Sequence, residues 1–403
     1  MFIKISKILI ITAMFALVSC MDSPKKDLQE FQVLNDSIKK IFAPDKRVAI
    51  YDIHIAATAD GIEITGETDQ EKGLATLMEV LKNKGKKIEN LVKILPDSSV
   101  GAWKYALVNN SVANIRSTAK HSGELATQAI LGTSLKVLKI DGDFYLAQTP
   151  DGYISWVDHG GVTLMNPEEF KNWQNSQKVI YTKPNGYVYE YMSDELNTIG
   201  DIVLGAQLKL IEDSGAFYKV SYPDKRLGYL KKSECELYGS WISKLDPSGM
   251  LVELYAKGLM GSPYLWGGTS SKGMDCSGFT KTVFLMNGYI IPRDASQQIM
   301  AGKDIDPEIE FNNLEKGDLM FFGTKATDST KQRVTHVGIW LGNEKGEFIH
   351  SAGRVKIGSI EPNSPYYDEG NTNRYLGSRR YLGQKDKILI NLKEENVENN
   401  IKT

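Results

Sequence analysis

Cysteine is scarce in this chain: three in 403 residues, Cys20, Cys235 and Cys276, too few for a disulfide framework. An excess of one charge is also missing. The 48 basic residues stand against 50 acidic ones for a formal charge of -2, no long polybasic run occurs, and nucleic acid is not an expected partner. Beyond the leader, no apolar run approaches the ~20 residues that a membrane-spanning helix needs. CxxC pairs, HExxH and the Walker and dinucleotide glycine loops are all lacking, so no metal and no cofactor is expected. What is present is an ordinary globular composition, 41% hydrophobic and 24% charged. The length corresponds to two to four domains at roughly 100–200 residues each.

Lys4 and Lys7 precede an apolar stretch, Ile8 to Val18, which is too short to span a bilayer and is bounded by small residues, the layout of an export signal. Its end, Leu17-Val18-Ser19-Cys20, resembles a bacterial lipobox. That resemblance implies a signal peptide over 1–19, lipidation at Cys20 and an exported lipoprotein anchored to a membrane, at the periplasmic face of a Gram-negative envelope. Each buried acyl methylene contributes ~0.8 kcal/mol to such an anchor. An ordinary cleaved signal with an incidental cysteine is the alternative. Lipidation leaves Cys235 and Cys276; a bridge between them stays formally open, and Cys235 alone reads as a small buried hydrophobe.

Composition and periodicity divide the rest. Residues 20–46 read as the lipidated cysteine, a polar spacer and a lead-in helix in which Leu28, Phe31, Leu34, Ile38 and Ile41 recur at helical spacing. Strand-like runs around a helical stretch predict a small α+β module over 47–108, similar to BON-type modules and carrying no assigned chemistry. Short strands rich in Val, Ile, Tyr and Leu, broken by Gly, Pro, Asp and Asn, predict small β-barrels over 109–170 and 171–240. Their segments Gly132-Thr133-Ser134-Leu135-Lys136-Val137 and Gly205-Ala206-Gln207-Leu208-Lys209-Leu210 resemble strands of bacterial SH3 domains. The last domain, 246–384, alternates helical and strand patterns, and the charged tail 385–403 is expected to be disordered after a short apolar run. The fold class is therefore α+β.

The chemistry gathers in the last domain. A turn-rich loop, Gly261 to Gly268, leads to Asp275-Cys276-Ser277-Gly278-Phe279, and Phe279, Val283 and Phe284 recur at helical spacing. Cys276 is thus expected at a helix N-terminus, where free amides and the macrodipole lower a thiol's pKa and activate the sulfur. His336 opens one strand and His350 closes the next, with Gly342 to Gly346 as the turn between them. Pairing Leu341 with Glu347 sets His350 opposite Gly338 and makes His336 its diagonal neighbour on one face. A nucleophile, a base and a third group that orients the base form the logic of a triad. Zinc is the competing reading of Cys276, His336 and His350, but a fourth structural ligand is wanting.

In sequence order, Pro263-Tyr264-Leu265-Trp266-Gly267-Gly268, Asp275 to Phe279, Pro292-Arg293-Asp294-Ala295-Ser296-Gln297-Gln298, Gly317 to Phe322, His336-Val337-Gly338-Ile339 and Phe348-Ile349-His350 resemble the NlpC/p60 family of papain-like cell-wall cysteine peptidases. The resemblance implies Cys276 as nucleophile, His336 as base and His350 as the orienting residue. Tandem SH3-like modules narrow it to a dipeptidyl-peptidase VI branch. That branch cuts the γ-D-glutamyl to diamino acid bond of peptidoglycan stem peptides and releases L-Ala-γ-D-Glu from peptides with a free N-terminal L-alanine. A recognised ammonium needs carboxylate partners, and the resemblance implies Asp275 and, from the first SH3-like module, Glu124. It further implies substrate contacts from Tyr264, Arg293, Asp294 and Ser277, with Arg293 offering its bidentate fork. Where the branch carries a hydroxyl near Arg293, this chain has Ala295. A non-catalytic wall-binding lipoprotein and an N-acetylmuramoyl-L-alanine amidase on the same fold remain the rival readings.

Overall fold

The computed structural model describes residues 24–192 and 197–394; the expected signal peptide over 1–19 and the expected lipidation at Cys20 lie outside them. Two compact units result, one ending at Leu95 and one beginning at Pro96.

In the first unit the helix Pro24–Phe42 buries Phe31, Leu34 and Ile38 in the same core as Ile53, Ile64, Leu77 and Leu81. The supposed spacer is therefore part of the module, because its apolar stripe has a sheet and a second helix, Glu71–Asn83, to pack on. The strands Tyr51–Ala57 and Ile62–Thr68 are antiparallel, and Ile88–Asn90 and Lys93–Ile94 lie parallel to the second of them.

The second unit holds three sheets that matter for the site. Tyr105–Val108, which the sequence had assigned to the preceding module, pairs instead with Ser134–Asp141 and Val162–Met165 in a seven-stranded sheet. Its barrel core contains Val108, Ile115, Val137 and Val157. A second seven-stranded sheet runs from Lys178–Tyr181 to Cys235–Leu237 and encloses Val179, Val188, Leu208 and Val220. The two barrels meet where Gln207 N–H donates to Leu131 O at 2.9 Å. Gly132 faces Gln207 O so closely that a Cβ there would lie 2.2 Å from it.

The third is a six-stranded sheet in the order Lys303–Asp304, Tyr375–Arg380, Leu319–Thr324, Arg333–Trp340, Glu347–Ala352, Arg354–Ser359, antiparallel throughout. One of its faces buries Val337, Ile339 and Ile349 against Phe279 and Val283 of the helix Cys276–Leu285. The apolar run of the tail packs on the last domain: Ile390–Asn391 pairs with Tyr289–Ile290, and Lys393 Nζ donates to Leu245 O at 2.9 Å; the expected disorder of the residues that follow falls on 395–403, outside the described residues. Among the described residues no helix is long and apolar enough to cross a membrane.

Candidate active site

Cys276 is the first residue of its helix because Asp275 caps it: the Asp275 side chain accepts from Gly278 N–H at 2.7 Å. Its other oxygen accepts from Gly267 N–H at 3.0 Å. Both cysteines in the described residues are free, so no bridge joins Cys235 to Cys276. The placement agrees with the expectation, but the electrostatics do not. Cys276 is only 7% exposed, and burial, followed by the Asp275 charge, pushes its thiol up to about 12. Backbone amides at Val337 and Ser277 and the Arg293 charge pull the other way and lose. Desolvation of a thiolate outweighs one helix terminus when the sulfur faces little water.

The histidine hairpin has the register that the turn implied: Ile339 pairs with Ile349 and Trp340 with Phe348, and Leu341 N–H donates to Glu347 O at 3.0 Å. That count puts Gly338 opposite His350. A Cβ on Gly338 would lie 3.3 Å from the His350 Cβ and 3.1 Å from the Phe348 ring, so the absent side chain makes room for the imidazole. His336 Nε2 and His350 Nδ1 are 2.8 Å apart. Both rings are buried, which holds His336 well below its ordinary value and His350 at about 4; the Asp368 charge opposes the shift at His350. Burial therefore favours the neutral thiol and the neutral imidazoles alike.

Arg293 departs from the sequence reading. Its guanidinium is 1% exposed and donates to Asp275 at 2.6 and 3.1 Å, to Ser277 Oγ at 2.9 Å and to Thr127 Oγ1 at 3.0 Å. The fork is buried beneath the helix and braces it against the first barrel rather than facing a substrate carboxylate. Ser277, 4% exposed, likewise turns its hydroxyl to Asp275 and Arg293. Asp294 forms a capping box with Gln297 at the helix Ala295–Gln298 and lies 3.9 Å from Arg293. Tyr264 is half-buried, and burial together with Cys276 and Asp275 raises its phenol to about 12, which keeps it a donor.

The first barrel forms a wall here. Glu124 Oε1 accepts from Trp266 Nε1 at 2.8 Å, and Gly267 approaches Leu125 O so closely that a Cβ would lie 2.2 Å away. Gln128 accepts from Thr269 N–H at 3.0 Å, and Asp151 pairs with Lys281 at 2.8 Å.

Comparison with known proteins agrees with this geometry. Residues 261–380 match the NlpC/P60 family, and 115–161 match the bacterial dipeptidyl-peptidase SH3 domain. The chain is 33% identical over 271 residues to a gamma-D-glutamyl-L-lysine dipeptidyl-peptidase of Bacillus cereus, covering 65% of this chain and 77% of that protein. The chain belongs to the NlpC/P60 family. It is a peptidoglycan hydrolase of the peptidase type. A second protein of that printed name, from Bacillus subtilis, is 27% identical over 56% of this chain and 72% of its own length. The crystal structure of an NlpC/P60 family protein from Bacillus cereus is 29% identical with a TM-score of 0.58, over 69% of this chain and 99% of that one.

Sequence reasoning missed two residues that the structure sets against the expected site residues. Thr127, one of the acceptors on Arg293, lies 166 positions away in the other domain and carries no local signal. Asp368, whose carboxylate lies 3.7 Å from His350 Nε2, sits between helix-capping contacts in a loop without periodicity. A cleft of about 490 Å³ lies on that side, lined in part by Arg354, Lys356, Tyr366 and Asp368.

Proposed function

We propose that this NlpC/P60 peptidase hydrolyses the γ-D-glutamyl to diamino acid bond of stem peptides and releases L-Ala-γ-D-Glu from peptides whose N-terminal L-alanine is free. The observation that carries the reading is Glu124 of the first barrel set against Trp266, in the loop whose next residue binds Asp275. The exposed Glu124 carboxylate, set beside that loop, offers an ammonium a countercharge. Asp275 is already balanced by Arg293, whereas Glu124 is held by a neutral indole, so Glu124 supplies the main countercharge. The printed names of the two Bacillus relatives support the bond chosen.

In this reading the Cys276 Sγ proton passes to His336, and sulfur attacks the γ-carbonyl carbon. Amides at the start of the helix receive the oxyanion, since the first turn has no intrahelical acceptors for them. Protonated His336 then gives its proton to the departing α-amine, and a thioester remains. Water, deprotonated by the same imidazole, releases the dipeptide and restores the thiol. His350 fixes the tautomer of His336, and the Tyr264 hydroxyl contacts the bound peptide. Lipidated Cys20 would hold the enzyme at a membrane on the periplasmic side, a reading supported by the apolar stretch Ile8 to Val18 and the lipobox-like Leu17-Val18-Ser19-Cys20.

The test is mass analysis of products from L-Ala-γ-D-Glu-diaminopimelate and from a muropeptide, with wild type and Cys276→Ala. L-Ala-γ-D-Glu from wild type alone is expected. Release of the whole stem peptide from muramic acid would identify an amidase, and no product from either substrate a binding protein.

A further inference from the structure

We propose that Asp368 is a positioning residue of the reaction, extending the line Cys276, His336, His350 by a carboxylate that holds the His350 tautomer and steadies the charge developing on the imidazoles. The proposal rests on the Cys276–His336 chemistry above, and it begins with the proton positions in the histidine pair. His336 Nε2 is bonded to His350 Nδ1 at 2.8 Å, so the ring nitrogen left to take the thiol proton is Nδ1. A base at Nδ1 carries its own hydrogen on Nε2, and that hydrogen is donated to His350 Nδ1. His350 must then keep its hydrogen on Nε2. That nitrogen is buried in a ring with 0% exposure and finds no hydrogen-bond partner among the described residues. The carboxylate facing it is Asp368, with Oδ2 at 3.7 Å.

An orphaned buried donor costs about 1–3 kcal/mol, and such a donor aimed at a carboxylate defines a function for the gap. Closing 3.7 Å to an ordinary bond takes a shift of about 0.7 Å, and catalytic hydrogen bonds are often long before substrate binds. Asp368 is anchored for the purpose: it caps the helix Glu369–Asn373, accepting from Asn371 N–H at 3.1 Å and from Asn371 Nδ2 at 2.6 Å. When the Sγ proton reaches His336 Nδ1, positive charge spreads toward His350, and a carboxylate at the far end of the pair stabilises it. The other charges acting on the pair are cations, Lys356, the cross-strand partner of His350, and Arg374. At His350 the Asp368 charge opposes burial and acts in the opposite sense to these cations.

Asp368→Asn separates this role from a structural one, because asparagine caps a helix as well as aspartate does. The measurements are the melting temperature, the pH profile of kcat/KM and a titration of the imidazoles by nitrogen NMR, which needs no substrate. Expected are a melting temperature lowered by no more than the loss of the one bond from Asn371 Nδ2, a fall in kcat/KM of about tenfold carried by kcat, a His350 titration moved about one unit lower, and partial recovery in Asp368→Glu. An unchanged rate and an unchanged titration in a folded Asp368→Asn protein would overturn the proposal. Should wild type fail to cleave the γ-glutamyl bond, the proposed substrate fails; the NMR shift still decides whether Asp368 acts on His350.

Discussion

At the scale of single residues, burial dominates the electrostatics of the site. His336 and His350 are held neutral below the ordinary histidine range, and the Cys276 thiol is held protonated above its own. A base lowered in this way stays competent in more acidic solution, so the acid limb of kcat/KM should fall below 6.5, the ordinary value; a limb at or above that value would contradict the account. The same shift has a consequence for stability. Unfolded histidine takes up its proton near 6.5 and folded His350 only near 4, so stability present above 6.5 is lost as the pH falls toward 4. Calorimetry of wild type against His350→Gln should show that part of the slope missing in the variant. Arg293 makes the clearest case of a structural charge. Removing it leaves Asp275 buried and uncompensated, and Arg293→Ala should cost about 3–5 kcal/mol in urea unfolding; a variant with wild-type stability would show that the pair is dispensable.

At the scale of elements, the hairpin of Arg333–Trp340 and Glu347–Ala352 sets the histidine geometry through one glycine. Gly338→Ala places a methyl 3.1 Å from the Phe348 ring and 3.3 Å from the His350 Cβ, closer than ordinary van der Waals contact, and these neighbours must move to accept it. The expected result is a drop in kcat with KM nearly unchanged, measured on the same peptide. Equal rates for the two proteins would mean that the imidazole has slack. This hairpin was readable because its information is local: Leu341, the glycine turn and Glu347 fix the count, and the period of two does the rest. Arg293 was not readable. Its partners Thr127, Asp275 and Ser277 are brought together only by docking a barrel on a helix, and a sequence that displays an arginine beside a catalytic motif looks the same whether the fork faces inward or outward. The burial that raises the Cys276 thiol is a product of the same packing, invisible in the residues around it. Asp368 belongs to this class too, since its relation to His350 crosses a loop. The spacer helix was misjudged for the converse reason: its stripe was legible, but its packing partners lie up to about forty residues further on.

At the scale of the whole molecule, the first barrel acts as part of the enzyme. Glu124 meets Trp266, Leu125 meets Gly267, Thr127 meets Arg293 and Gln128 meets Thr269, so four of the five residues 124–128 of one barrel segment contact the catalytic domain. Gly267→Ala, at positive φ and with its Cβ 2.2 Å from Leu125 O, should push this wall away and raise KM for free-amine peptides more than it lowers kcat. An unchanged KM would show that the wall does not read the substrate. The most direct measurement is the ratio of kcat/KM for L-Ala-γ-D-Glu-diaminopimelate over its N-acetylated form, in wild type and in Glu124→Ala. The account predicts a preference of at least about tenfold for the free amine in wild type, the size of one hydrogen-bonded charge, and a ratio collapsing toward unity in the variant. The same ratio in both proteins would contradict it.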